Sequence, residues 1–104
     1  PKVASAPHAG ELSYLFDQME ARYGKAVTEK DRAVAKTFHR YFVNFAKTGD
    51  PNGPGLPAWP AFSAGKFDLM IFAGDGTAKY RPDPWEKRLR LLERAMDAKS
   101  SAAD

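Results

Sequence analysis

The stretch TEKDRAVAKTFHRYFVNFAKTGDPNGPGLP, residues 28–57, constrains the fold of this chain more than any other. Thr28 is followed three residues later by Asp31, the spacing at which a hydroxyl and a carboxylate cap each other's backbone N–H groups at a helix start. Val34, Phe38, Tyr41, Phe42 and Phe45 then form an apolar helical stripe. Three glycines and three prolines between residues 47 and 57 end the helix and force an irregular loop. So strong a stripe must be covered, and the flanking segments are the first candidates to cover it.

Upstream, Leu12, Leu15, Phe16, Met19 and Tyr23 fall on one helical face, which predicts a single helix from about Ala9 to Tyr23. Gly24 stands where a helix enters the left-handed region and stops. Residues 1–7 read as a loop. Downstream, Phe67, Leu69 and Ile71, and then Thr77–Arg81, predict a hairpin closed near Gly74-Asp75-Gly76. Met70 and Phe72 are apolar as well, so the first strand is expected to be buried on both faces. The run DPWE starts a last helix, with Asp83 as N-cap, Pro84 in the first turn and Glu86 completing a capping box. Trp85, Leu89, Leu92 and Met96 form its stripe, Trp59 and Trp85 read as packing anchors, and residues 99–104 read as a frayed tail. The segment is mainly helical, about three helices plus a β-hairpin, with no internal repeat and no second domain.

A chain of 104 residues makes one small domain. Its apolar content is 43%, much of it alanine, so its stability alone would be marginal and large apolar patches should stay exposed. With no cysteine, disulfides and Cys-based metal sites or nucleophiles are excluded. His8 and His39 are too few and too far apart for a histidine metal site. The net charge of +3 is interspersed, which points to neither nucleic acid nor a charged surface as partner. No apolar run is long enough for a signal peptide or a membrane span. The chain begins at Pro1 rather than Met and is expected to be processed or part of something larger. Its compartment is left open.

The usual catalytic signatures are missing. The five serines (5, 13, 63, 100, 101) stand in no G-x-S-x-G elbow, and there is neither a P-loop nor a dinucleotide fingerprint. GDG at 74–76 is a turn, and GDPNGP lacks the alternating oxygens of a calcium loop. Acidic residues interrupt the basic helix EKRLRLLERAMDAK, leaving an ordinary solvated face. His39 falls beside the apolar stripe and reads as a solvated helix residue whose replacement would be nearly silent.

Three segments remain: PHAGELSYLF, YFVNFAKTGDPNGPGLPAWPAF and DPWEKRLRLLERA. In this order and spacing they resemble the C-terminal portion of a type B carboxylesterase, the large family that includes cholinesterases and para-nitrobenzyl esterases. NFAKTGDPN followed by LPAWPAF is the most specific element, and H-x-x-E-[LI]-x-[YF]-x-F the next. The match runs from about His8 to Ala95. The resemblance implies an α/β-hydrolase fold and a Ser–Glu/Asp–His triad working through an acyl-enzyme, with His8 as the catalytic histidine. Glu11 matches the acidic residue just after it, a support of the active-site region and not the triad acid. The serine, the oxyanion-hole glycines and the triad acid lie upstream in the family and are not in this chain. Many relatives carry glycine directly after the histidine, where Ala9 stands, and tryptophan where Phe42 stands.

The chemistry asks for a group like His8. A serine hydroxyl needs a base to take its proton as it attacks. An imidazole, with an ordinary pKa near ~6.5, can take that proton and return it to the leaving alcohol. A carboxylate must stabilise the imidazolium. Glu11 is one such carboxylate in sequence, although a first-turn glutamate also favours the helix dipole on its own account. The resemblance implies no metal or organic cofactor, a small carboxylic ester as substrate, and the upstream portion of the same esterase as partner. The alternative is a non-catalytic helical interaction module.

Overall fold

The computed structural model describes residues 6–103. Most of the expected 1–7 loop lies outside the described residues; Ala6 and Pro7 are irregular. Asp104 also lies outside. The elements are α1 (Leu12–Leu15), α2 (Met19–Tyr23), a 3-10 turn (Gly24–Ala26), α3 (Glu29–Thr48), β1 (Asp68–Phe72), β2 (Ala78–Pro82) and α4 (Glu86–Ala103). The chain divides into two compact units, Pro1–Pro60 with Met70–Tyr80, and Ala61–Leu69 with Arg81–Asp104.

In the first unit, α3 begins and ends where its sequence dictates. Thr28 Oγ1 accepts the Asp31 N–H at 3.2 Å, and Asp31 Oδ2 accepts the Thr28 N–H at 2.8 Å, a closed capping box. At the other end Gly49 takes a left-handed conformation (φ 79°) and returns its N–H to the Phe45 carbonyl at 2.7 Å. The irregular loop that follows is strapped to α3 by side chains. Arg40 Nη2 donates to the Pro54 carbonyl at 2.8 Å, Asn44 Nδ2 to Pro51 at 3.2 Å, and the Tyr41 hydroxyl to Pro57. Gly53 passes so close that a Cβ there would stand 2.8 Å from Asn44 Nδ2, so a larger residue would force that amide to shift.

Tyr41 is fully buried, and burial pushes its phenol up. Its ring meets Trp59 edge-on at 5.1 Å, and Phe72 packs against Phe38 at 4.7 Å. Trp59 is thus the packing anchor that its sequence context predicts. A second cluster gathers Met19, Val27 and Ala35, with Tyr14 and Tyr23 against it.

The expected helix over 9–23 is broken in two. Asp17 adopts φ 51°, its N–H bonds the Tyr14 carbonyl at 3.2 Å, and Gln18 N–H bonds Ser13 at 2.8 Å. This paired pattern is a Schellman stop built on aspartate instead of glycine. The chain restarts at Met19 and ends at Gly24, whose φ is 56°.

The hairpin closes where expected. Gly76 N–H bonds the Ala73 carbonyl at 3.1 Å and Ala73 N–H bonds Thr77 at 2.8 Å, with Gly76 at φ 91° as the bulge residue of a three-residue loop. Asp75 Oδ1 accepts both the N–H and the hydroxyl of Thr77, which hold its carboxyl below the usual carboxylate range. The first strand is not buried on both faces: Leu69 is exposed and its neighbours are half-buried.

In the second unit Asp83 caps α4, with Oδ1 accepting the Trp85 N–H at 2.8 Å. The expected box does not close. The Asp83 N–H is taken by the Phe67 carbonyl at 2.5 Å, and Glu86 turns instead to Arg90, 3.0 Å away. Arg90 also donates to the Gly65 carbonyl at 2.8 Å and lies over the Phe67 ring. Trp85 is no anchor within this chain: it is 59% exposed, with the Arg88 guanidinium over its ring. Leu92 and Met96 (70%) are exposed too, as is Leu91 (67%) beside them, while Leu89 is half-buried, so most of the α4 stripe is uncovered. Helix α4 runs on to Ala103, through the residues expected to fray. Among the described residues no helix is long and apolar enough to cross a membrane.

Candidate active site

His8 occupies the second position of a four-residue turn. Gly10 N–H closes it onto the Pro7 carbonyl at 3.1 Å. Pro7 brings a nearly fixed φ to the first position, and Ala9, at the third, has φ 57°. An L-residue in that region costs about 1–2 kcal/mol, a penalty that glycine does not carry. Gly10 is buried, and a Cβ on it would stand 3.0 Å from the Pro7 ring, a tight contact to which the ring would have to yield. The His8 side chain is exposed.

The turn feeds straight into α1 through Leu12 N–H to the Ala9 carbonyl (3.3 Å) and Leu15 N–H to Glu11 (2.8 Å). This support is shorter than the sequence suggests, a single turn instead of a long helix. Glu11 is at its N-terminal edge, exposed, and makes no side-chain cap. Among the described residues no hydrogen bond joins Glu11 to His8.

A cavity of about 460 Å³ opens beside the turn. Pro7, Gly10 and Glu11 form one side, Tyr14 and Tyr23 another, and Phe38 and Phe72 an apolar wall. His8 is not part of its lining. Burial, with the charge of Asp31 next, raises the Tyr14 phenol above its ordinary value. The Thr28 N–H holds the Asp31 carboxyl below its own.

His39 is not a solvated helix residue. It is half-buried, and its Nδ1 lies 2.7 Å from the Leu15 carbonyl, 24 residues away in sequence. Its neighbours on the α3 stripe show only that it borders the buried face; the backbone carbonyl it meets exists only once α1 has stopped at Leu15.

The turn that presents His8, the strapped GDPN loop and the Asp83-capped start of α4 lie in the three segments that carry the family resemblance. A sequence model of the carboxylesterase family matches residues 1–83, and this chain belongs to that family. Among its relatives, carboxylesterase 5A of Canis lupus familiaris is 33% identical over 100 residues, covering 88% of this chain and 17% of the relative. Cocaine esterase of Homo sapiens is 30% identical over 93 residues (86% and 17%). Liver carboxylesterase 1 of Oryctolagus cuniculus is 34% identical over 84 residues (80% and 14%). The chain therefore spans less than a fifth of the length of these relatives. The family implies an α/β-hydrolase fold; this segment of it is mostly helical with one two-stranded antiparallel sheet.

Proposed function

We propose that this chain acts within a complete carboxylesterase as the segment bearing the general base, His8, and that the upstream portion of the same esterase brings the serine, the oxyanion hole and the triad acid. The observation that carries the reading is the His8 turn itself. An exposed imidazole sits on a hydrogen-bonded four-residue turn between a proline and a buried glycine that packs closely against the proline ring.

In the reaction the serine oxygen attacks the ester carbonyl and its proton passes to the His8 ring. The tetrahedral intermediate collapses, and His8 returns that proton to the departing alcohol, leaving an acyl-enzyme. Water then attacks the acyl group, again giving a proton to His8, and the serine takes it back as the acid leaves. The upstream carboxylate orients the ring and stabilises the imidazolium. Glu11, one residue before α1 and facing the cavity, supports the segment and is not that carboxylate.

The test is a burst experiment with an activated p-nitrophenyl ester. The complete protein should release p-nitrophenol in a burst stoichiometric with enzyme. The 104-residue chain alone should give no more than free imidazole, since its serines lack an elbow. A stoichiometric burst from the chain alone would contradict the division of labour proposed.

A further inference from the structure

We propose that His39 is a positioning residue for the turn that carries His8; the proposal rests on the reading of His8 as the general base. The argument begins at the C-terminal end of α1. Three of its last four carbonyls are taken within the chain's own stop: Leu12 accepts from Phe16 N–H at 3.1 Å, Ser13 from Gln18 and Tyr14 from Asp17. Leu15 is left over, and His39 Nδ1, from the middle of α3, meets its oxygen at 2.7 Å. A carbonyl can only accept, so Nδ1 carries the proton and the ring is held in one tautomer.

This bond matters because of what lies at the other end of α1. Four residues of helix are about 6 Å long, and so short a helix has little stability of its own. Its first turn is continuous with the His8 turn through the Leu12-to-Ala9 and Gly10-to-Pro7 bonds. That turn contains Ala9 in a left-handed conformation, so local preference does not hold it. Its place must come from an element that is itself fixed. Helix α3 is such an element, with a closed box at Thr28 and a glycine stop at Gly49. His39 is the polar side chain that ties α3 to the far end of α1. Losing the bond frees the Leu15 end to shift, and a displacement of about 1 Å at a catalytic group can cost ~10²-fold in rate.

The experiment uses the complete carboxylesterase containing this chain. His39→Leu keeps apolar bulk and removes the donor; His39→Asn keeps an N–H close to the Nδ1 position. We expect kcat of His39→Leu to fall about 10- to 100-fold with KM within about twofold, and His39→Asn to recover most of the loss. In a His8→Ala background, His39→Leu should have no further effect. Wild-type kcat in His39→Leu, with His8→Ala inactive, would overturn the positioning role alone. Failure of Asn to rescue would overturn it also. Retained turnover in His8→Ala would overturn the general-base reading, and this proposal with it. Should His39→Leu not fold, ¹⁵N NMR of the wild-type ring decides: an Nδ1–H tautomer supports the bond, and an Nε2–H tautomer overturns it.

Discussion

The side-chain amide of Asn52 grips both backbone groups of Trp59: its Oδ1 accepts the Trp59 N–H at 2.6 Å and its Nδ2 donates to the Trp59 carbonyl at 2.9 Å. One side chain thus imitates a neighbouring strand, and the indole it fixes is the one packed on Tyr41 and Phe72. Asp50 Oδ1 orients the same amide, accepting from Asn52 N–H and Nδ2. That bonding holds the Asp50 carboxyl below the ordinary range.

Asn52→Asp should therefore cost more than its shape suggests. The carboxylate still accepts the Trp59 N–H but turns a lone pair toward the Trp59 carbonyl and stands beside Asp50. We expect a loss of about 0.5–1.5 kcal/mol, the range for the net contribution of a hydrogen bond. Urea unfolding of the wild-type and variant proteins, compared by midpoint at equal slope, checks it; equal midpoints would mean that the clamp carries no weight.

This relationship also shows where sequence reading stops. Asn52 reads as turn chemistry from its neighbours Pro51 and Gly53, and the loop is indeed irregular, but its partner seven residues on is a matter of folded geometry. The limits of α3, the hairpin turn and the Asp83 cap were legible because their determinants are local: a hydroxyl, a carboxylate or a glycine within three residues. The break at Phe16–Gln18 was not. The apolar period continues through it to Met19 and Tyr23, no glycine or proline marks it, and the Leu15 carbonyl it leaves is bonded by His39 from another helix. At the candidate site, the left-handed backbone at Ala9 and the contact of His39 with the Leu15 carbonyl appear only in three dimensions.

The capping box of α3 predicts a pH dependence. The Thr28 N–H lowers the Asp31 carboxyl from its ordinary 3.8. A group depressed on folding contributes stability above its unfolded value and loses it as pH falls through the folded value. Asp31→Ala should cost about 0.5–2 kcal/mol at pH 7, and the gap to wild type should narrow below about pH 4. Denaturant midpoints at several pH values test this, and a gap that stays constant down to pH 2 would contradict it.

Ala9 offers a test of strain at the His8 turn. Glycine relieves a left-handed penalty of about 1–2 kcal/mol but adds unfolded-state entropy that takes back about 0.4–1 kcal/mol. Ala9→Gly should thus stabilise by up to about 1.6 kcal/mol. Ala9→Val, branched at Cβ, should destabilise by at least about 1 kcal/mol. The order Gly above Ala above Val in thermal midpoint is the expected result, and a Val variant as stable as wild type would rule out the φ of 57° at this residue.

The most direct measurement is the turnover of His8→Ala beside Glu11→Gln in the complete carboxylesterase, on a short-chain activated ester. On the proposed general-base role of His8, its loss should lower kcat by at least ~10²–10⁴ with a smaller change in KM. Glu11→Gln, which touches the cavity and not the imidazole, should lose far less. A folded His8→Ala enzyme with near wild-type kcat would contradict the assignment of the base to this turn.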